Sequence, residues 1–205
     1  FRAYAVDQLS MGFTDTREHA WPVNGHQSLV DHVHDFIEAL CLDEVHLVGN
    51  SQGAYVAAKY AIDHPEKVGK IVYIGSNTVY QAMHDKPLRK MRSFLEVIGY
   101  DYTEESLRSF MTRNIANGTE VPEELIQLRH TAATRPGVKE ANDAFDAYIA
   151  RMNDEPKLWT RYSLKDALPK LDIPSIFIWG KQDHVAPVEV GEKLAAMLPN
   201  VPFHY

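Results

Sequence analysis

The sequence has 205 residues, of which 45% are hydrophobic, and this suits one globular domain with or without an insertion. Its 21 Lys and Arg against 28 Asp and Glu give a net charge of −7, which disfavours nucleic-acid or anionic-membrane partners. No run approaches the ~20 apolar residues of a membrane span, and the first residues lack the layout of a signal peptide, so we expect a cytoplasmic protein. Cys41 is the only cysteine, which excludes an intramolecular disulfide, and its place after an apolar helical stretch predicts a core position.

Short β-type runs alternate with helical patterns along much of the chain. Residues 2–7 predict a strand, and an apolar stripe from Leu29 to Leu40 predicts a helix. Further strands are predicted at residues 44–48, 70–75 and 174–180, and residues 201–205 look like the start of another. This alternation predicts a mostly parallel sheet. The run at 44–48 is short and β-branched, which suits a buried strand of that sheet.

Gly49-Asn50-Ser51-Gln52-Gly53 follows the 44–48 strand directly and precedes an Ala-rich helical run that ends before Pro65. A tight turn from strand to helix strains the serine backbone, and glycines on both sides let the neighbouring main chains pass without Cβ clashes. The pentapeptide alone would occur by chance in roughly 7% of chains of this length, but here strand, turn and helix come in the required order. The pattern predicts a nucleophile elbow with Ser51 as nucleophile; a Gly-Ser turn in another α/β protein is the alternative.

The pattern changes between Ser76 and about Asp166, where strand-like runs disappear. Helical periods replace them at residues 87–98, 103–117, 122–133 and 138–152. The segment is inserted after a strand end, where open α/β sheets bind their ligands, and it therefore predicts a helical lid over the nucleophile. We expect core at residues 1–76 and 167–205 and lid at residues 77–166.

A serine nucleophile needs a histidine to remove its proton, and that histidine needs a carboxylate to orient it. Asp183 is the predicted carboxylate because it follows the strand predicted at residues 174–180 and comes after Ser51 in the chain; an ordinary Asx turn is the alternative. None of the ten histidines fits the remaining role. His184 adjoins Asp183, and His204 lies within the last strand.

The α/β-hydrolase fold, which this elbow resembles, has more strands before the nucleophile than the single one predicted here. The chain therefore looks truncated at both ends. We expect the catalytic histidine and the first oxyanion loop to lie outside the sequence.

Residues 7–15, 46–51 and 179–187 resemble the corresponding segments of the meta-cleavage product hydrolases, which are α/β-hydrolases. These enzymes cut a carbon–carbon bond in 2-hydroxy-6-oxohexa-2,4-dienoates during bacterial breakdown of aromatic compounds. The resemblance runs through nearly the whole chain. Ser10 and Ala54 stand where the family usually has glycine, which leaves the fold intact but indicates no close subfamily.

Arg129, in the predicted lid, is a candidate for binding the substrate. Helical spacing puts it on a stripe with Leu125, Leu128 and Ala132, a face predicted to turn inward. An ion pair with a lid glutamate is one explanation. The resemblance implies another, since the family has a lid arginine in a Glu-Glu-Leu-x-x-x-Arg setting, and Arg129 would then bind the substrate carboxylate bidentately.

The resemblance implies three further site features. Asn50 would help hold the dienoate end, and the amide of Gln52 would donate to the oxyanion. Trp159 and Tyr162 would line an aromatic-accepting pocket, or else pack at the lid hinge. No metal site, cofactor, nucleic-acid partner or membrane partner is expected.

We therefore expect a serine-dependent hydrolase that cleaves carbon–carbon bonds in small-molecule dienoates. Its rival among enzymes is a carboxylesterase for small neutral esters, for which a buried arginine has no evident use. Outside enzymes the rival is a catalytically inactive hydrolase-fold receptor or scaffold. Dehalogenase and epoxide hydrolase chemistry is disfavoured because those similar folds carry a carboxylate where Ser51 stands. The sequence determines neither the C6 substituent nor the oligomeric state, and a homo-oligomer is compatible with it.

Overall fold

The computed structural model describes residues 2–92, 94–113 and 120–205. Its strands are β1 (Val45–Asn50), β2 (Val68–Ile74), β3 (Ser175–Ile178) and β4 (Phe203–His204). Its helices are α1 (His26–Ala39), α2 (Gln52–Asp63), α3 (Asn77–Ala82), α4 (Phe94–Ile98), α5 (Glu104–Arg113), α6 (Glu123–Ala133), α7 (Val138–Met152), α8 (Pro156–Tyr162) and α9 (Val188–Met197).

The chain divides into two compact units. The first combines Phe1–His32 with Met91–Asp154, and the second combines Val33–Lys90 with Glu155–Tyr205. These boundaries differ from the predicted limits of core and lid, which concern the topology of the fold and stay a prediction. None of the described helices is long and apolar enough to cross a membrane.

The second unit contains a four-stranded sheet in the order β1-β2-β3-β4. All three strand pairs are parallel, which confirms the predicted parallel sheet. The strand predicted at residues 2–7 is wrong: these residues are all exposed, and within the described chain no strand pairs with them. An apolar pattern cannot make a strand unless a neighbour supplies the hydrogen bonds.

Side chains on one face of the sheet form the core of the second unit. Ile71 and Tyr73 on β2 and Phe177 on β3 are almost fully buried. Helix α2 packs against β1 and β2, and its alanines 54, 58 and 61 are fully buried, which allows a close approach.

The other face of the sheet is open in the described chain. Val48 on β1 is 69% exposed and Ile178 on β3 is 44% exposed. The predicted burial of the nucleophile strand is therefore wrong for the face that carries Val48. Successive side chains of a strand point to opposite faces, so Val48 and Ile178 project from the face that does not contact the core helices.

Cys41 also differs from its predicted place. Helix α1 ends at Ala39, and Cys41 lies in the turn beyond it with φ 51° and an exposed side chain. The apolar pattern of the helix extended to this residue, but the chain turns before Cys41 can reach the core.

Within the first unit, the described part of residues 91–154 is largely helical, as predicted for this part of the chain. The helix predicted at residues 87–98 is shorter in the structure, where α4 begins at Phe94. Residues 88–90 are all exposed, so they provide no apolar face that could pack against the rest of the unit. Helix α5 ends at Arg113, and the end of the helix predicted at 103–117 lies outside the described residues. One buried apolar cluster joins α5 and α6, and it consists of Leu107 and Met111 of α5, Ile126 of α6, and Val121 before α6.

We predict that the two faces of β3 differ sharply in their contribution to stability. Phe177→Ala should lower the free energy of unfolding of this chain by about 3–5 kcal/mol, because a fully buried ring is lost. That ring stacks on Tyr73 and Phe203 with centroids 4.5 Å away in each case. Ile178→Ala, one residue along the strand, should cost about 1 kcal/mol. Urea unfolding of both variants measures the difference, and equal losses would contradict the one-sided core.

Candidate active site

Ser51 occupies the corner between β1 and α2. Its backbone has φ 51° and ψ −112°, a region that non-glycine residues rarely adopt. Such strain costs on the order of 1–3 kcal/mol and is typical of functional sites. A Cβ on Gly49 would overlap the Gly53 carbonyl oxygen, so the main chains of the two glycines touch. The elbow geometry predicted from the sequence is confirmed.

The end of β2 holds this corner in place. The Ser51 N–H donates to the Ile74 carbonyl at 2.9 Å, and the Asn50 side-chain amide donates to the same carbonyl at 3.1 Å. The Ser76 hydroxyl donates to the Ser51 carbonyl at 2.7 Å. Both sides of the nucleophile's backbone are thereby bound to one short segment of chain.

Asp183 lies in the loop after β3 and is half-buried. Its Oδ1 accepts the N–H groups of Val185 at 2.8 Å and Ala186 at 2.7 Å, which is the Asx-turn arrangement considered from the sequence. Its Oδ2 points elsewhere, and a Cβ on Gly75 would lie 2.9 Å from it. One oxygen thus fixes the carboxylate, while the other is directed toward the end of β2.

Ser51 and Asp183 therefore lie at the same edge of the sheet. Each follows the carboxyl end of a parallel strand, and β2 runs between those two strands. Gly75 links the two sides, since its N–H donates to the Ile178 carbonyl at 3.0 Å and its α-carbon faces Asp183. The carboxyl edge is where open α/β sheets bind their ligands.

Gln52 and Asn50 flank the nucleophile. Gln52 is the first residue of α2, a helix of 12 residues, and the first N–H groups of a helix lack an intrahelical acceptor. The positive end of the helix dipole also favours negative charge there. Asn50 is exposed, and one of its side-chain N–H groups is already bound to the Ile74 carbonyl. Its amide oxygen remains available for other contacts.

Trp159 and Tyr162 are buried in the second unit. The Trp159 indole N–H donates to the His84 carbonyl at 2.9 Å, and the Tyr162 hydroxyl donates to the Thr78 carbonyl at 2.9 Å. Tyr162 also stacks on Tyr55 with centroids 4.7 Å apart. These contacts attach α8 to the segment around α3, so they support the packing alternative over a role in lining a pocket.

Arg129 lies on the first unit, in α6, and its side chain is exposed. The prediction that its stripe faces inward is wrong, because Leu125 is 42% and Leu128 is 53% exposed. Ile126 packs against α5 instead and thereby rotates the helix away from the predicted orientation. Glu123, a candidate lid partner, pairs with Arg108.

Among the described residues, no group of three or more His, Cys, Asp or Glu could hold a metal ion. His184 and His204 are both exposed. Sequence reasoning missed Gly75 and Ser76, although a Gly-Ser step directly after a strand and before a helix is a recognisable turn and cap signal.

The sequence profile of the alpha/beta hydrolase fold matches residues 1–204. A 2-hydroxy-6-oxo-2,4-heptadienoate hydrolase from Pseudomonas putida is 30% identical over 210 residues, covering 99% of this chain and 69% of that protein. A 2-hydroxy-6-oxononadienedioate/2-hydroxy-6-oxononatrienedioate hydrolase from Paraburkholderia phymatum is 28% identical over 168 residues. That alignment covers 82% of this chain and 56% of the relative, so the chain spans little more than half the length of that protein.

The same fold occurs in the solved structure of a meta-cleavage product hydrolase from Pseudomonas fluorescens IP01. It superimposes with a TM-score of 0.68 and 24% identity, covering 97% of this chain and 68% of that chain. At this identity the likeness concerns the fold.

We predict that a methyl group on Gly75 displaces Asp183. Gly75→Ala should lower any hydrolase activity of the full-length protein at least tenfold, because a misplacement of about 1 Å costs roughly 100-fold. Gly99→Ala is the matched control: Gly99 also has a positive φ, 70° against 35° for Gly75, but a Cβ there meets nothing within 4 Å. Both variants carry the backbone strain of alanine at positive φ. Kinetics and thermal unfolding separate the two effects, and equal activity losses would contradict the contact.

Proposed function

The chain belongs to the α/β-hydrolase fold family and, within it, to the meta-cleavage product hydrolases, and on that basis we propose a specific reaction. The protein hydrolyses a carbon–carbon bond in small 2-hydroxy-6-oxohexa-2,4-dienoate-type substrates. The strained Ser51 corner, connected through the end of β2 to the Asp183 carboxylate, is the observation that carries this proposal.

Ser51 and Asp183 supply the reactive groups in this proposal. The dienol first becomes a ketone, and Ser51 or a water that it helps to activate attacks the C6 carbonyl. The bond between C5 and C6 then breaks, and the 2-hydroxypentadienoate fragment leaves with the proton that the histidine had taken. C6 becomes a carboxylic acid, which water releases from Ser51 when the serine is the attacking group. Asp183 orients the histidine that takes the serine proton, and the Oδ2 atom left outside its turn is suited to accept the imidazole N–H. None of the ten histidines in the sequence is assigned this role.

The oxyanion and the substrate acid have separate partners. The Gln52 N–H at the start of α2 donates to the oxyanion that develops on C6. Arg129, with the help of Asn50, binds the substrate carboxylate. Arg129 is exposed, and no ion pair involving it forms within the described residues, so its guanidinium is available to a carboxylate.

The setting of the reaction also belongs to this proposal. Cys41 is the only cysteine and is free, which is common in reducing compartments, and we place the enzyme in the cytoplasm. The chemistry proposed for Ser51, Asp183 and the histidine needs no metal or organic cofactor.

Replacing the nucleophile tests whether the protein is an enzyme of this kind. Ser51→Ala in the full-length protein should lower kcat for C–C cleavage of dienoates by at least roughly 1,000-fold, as loss of a serine nucleophile does elsewhere. Loss of the dienoate's visible absorbance measures the rate. A wild-type protein without activity on dienoates or esters would favour the inactive receptor or scaffold.

Replacing Arg129 separates C–C hydrolase from carboxylesterase. Arg129→Gln should lower kcat/KM for dienoates by roughly 30-fold, because a bidentate pair with a carboxylate is worth about 2 kcal/mol when the substrate covers it. Hydrolysis of a small neutral ester should change less than about threefold. Arg161→Gln, which removes an exposed arginine of α8, is the charge-matched control. Equal losses on both substrates would make the esterase the better assignment.

A further inference from the structure

Ser76 is a fully buried serine that makes two hydrogen bonds in opposite senses. As the N-cap of α3, its Oγ accepts the Val79 N–H at 3.0 Å. Its hydroxyl proton is donated to the Ser51 carbonyl at 2.7 Å. The first bond is an ordinary helix cap, whereas the second reaches the backbone of the proposed nucleophile from outside α2.

The Ser51 carbonyl and the Gln52 N–H belong to one peptide group. No cis peptide occurs in the described chain, and in a planar trans peptide the C=O and N–H bonds point in opposite directions. Fixing the carbonyl therefore fixes the direction of the N–H. The Ala54 and Tyr55 N–H groups of α2 also donate to this carbonyl, at 3.1 Å and 3.4 Å, but both belong to the same helix as Gln52 and move with it.

We propose that Ser76 is a positioning residue for the oxyanion donor, an inference that rests on the function proposed above. Its hydroxyl, which lies just after the end of β2, holds the Ser51–Gln52 peptide and directs the Gln52 N–H toward the developing oxyanion. A hydrogen bond to a peptide carbonyl also polarises that peptide and makes its N–H a stronger donor. Ser76 acts through Gln52 and touches no reacting atom.

The position of Ser76 explains why a fixed anchor is needed here. Ser51 lies in a strained conformation, and a strained peptide relaxes when its contacts are removed. The Ile74 carbonyl holds the N–H side of Ser51, and Ser76, two residues further, holds the C=O side. Together the two bonds fix both peptide groups that flank the nucleophile.

A pair of inhibitors distinguishes this role from simple helix capping. A trifluoromethyl ketone shaped like the substrate forms a hemiketal with Ser51, whose oxyanion needs the Gln52 donor, while the matching methyl ketone binds without that oxyanion. In the full-length enzyme, Ser76→Ala should weaken binding of the trifluoromethyl ketone roughly tenfold or more. This is less than the effect of removing a direct oxyanion donor, which is about 100-fold or larger. The methyl ketone should change less than about threefold. For dienoates, kcat should fall about tenfold with KM within about threefold.

Two further variants complete the test. Ser163→Ala is the matched control, because the Ser163 hydroxyl donates to the Ala82 carbonyl at 3.2 Å at the other end of α3 and does not touch the elbow. It should leave the ratio of the two inhibitors unchanged. Ser76→Cys keeps the volume with a weaker donor and should give an intermediate ratio, even if Ser76→Ala proves too unstable to purify.

The outcomes are separable from those of the proposed reaction. If the wild type fails to cleave dienoates, the proposed function fails, but the inhibitor ratio still reports on Ser76. Equal weakening of both ketones, an unchanged ratio in Ser76→Ala and Ser76→Cys, or the same shift in Ser163→Ala would overturn the positioning role. A wild type that binds both ketones equally would also overturn it, since no oxyanion donor would then be at work.

Discussion

The strained peptide at Ser51 is the feature on which the rest of the site depends. Its φ of 51° is unfavourable for any side chain with a Cβ, so the surrounding structure has to hold it. Contact between the main chains of Gly49 and Gly53 closes the corner from within the motif. Hydrogen bonds to Ile74 and from Ser76 close it from the neighbouring strand. The elbow is therefore a property of two adjacent strands as well as of one pentapeptide.

The parallel sheet explains how distant parts of the sequence meet at this corner. Strands that run in the same direction present all their carboxyl ends at one edge, and the loops that follow β1, β2 and β3 carry Ser51, Gly75 and Asp183. β2 contributes no reactive group in this arrangement. Its end nevertheless contacts both candidate catalytic residues, because Ser51 binds Ile74 and the Asp183 carboxylate reaches the bare α-carbon of Gly75.

Sequence patterns predicted correctly those features that depend on neighbouring residues. They failed for features that depend on contacts between distant parts of the chain. The strand–Gly-x-Ser-x-Gly–helix order was sufficient for the elbow, because its sterics involve adjacent residues. The orientation of α6 depends on which of its residues packs against α5, and that residue is Ile126 rather than Leu125. Arg129 was misplaced for this reason. Residues 2–7 have strand-like composition, but a strand also requires a neighbouring strand to pair with. The pattern of apolar residues does not show whether such a neighbour is present.

The division of the chain has a consequence for how substrate preference and chemistry can vary. Ser51, Gln52, Ser76 and Asp183 all belong to the unit that contains the sheet, whereas Arg129 belongs to the largely helical unit. Backbone strain and short hydrogen bonds constrain the first group, so few substitutions there preserve the geometry. Arg129 stands on an exposed helix face whose neighbours Leu125 and Leu128 are not packed in the core. Substitutions on that face cost little stability, since surface changes usually lie within about 0.5 kcal/mol. In the proposed enzyme, substrate selection can therefore change through α6 without disturbing the nucleophile.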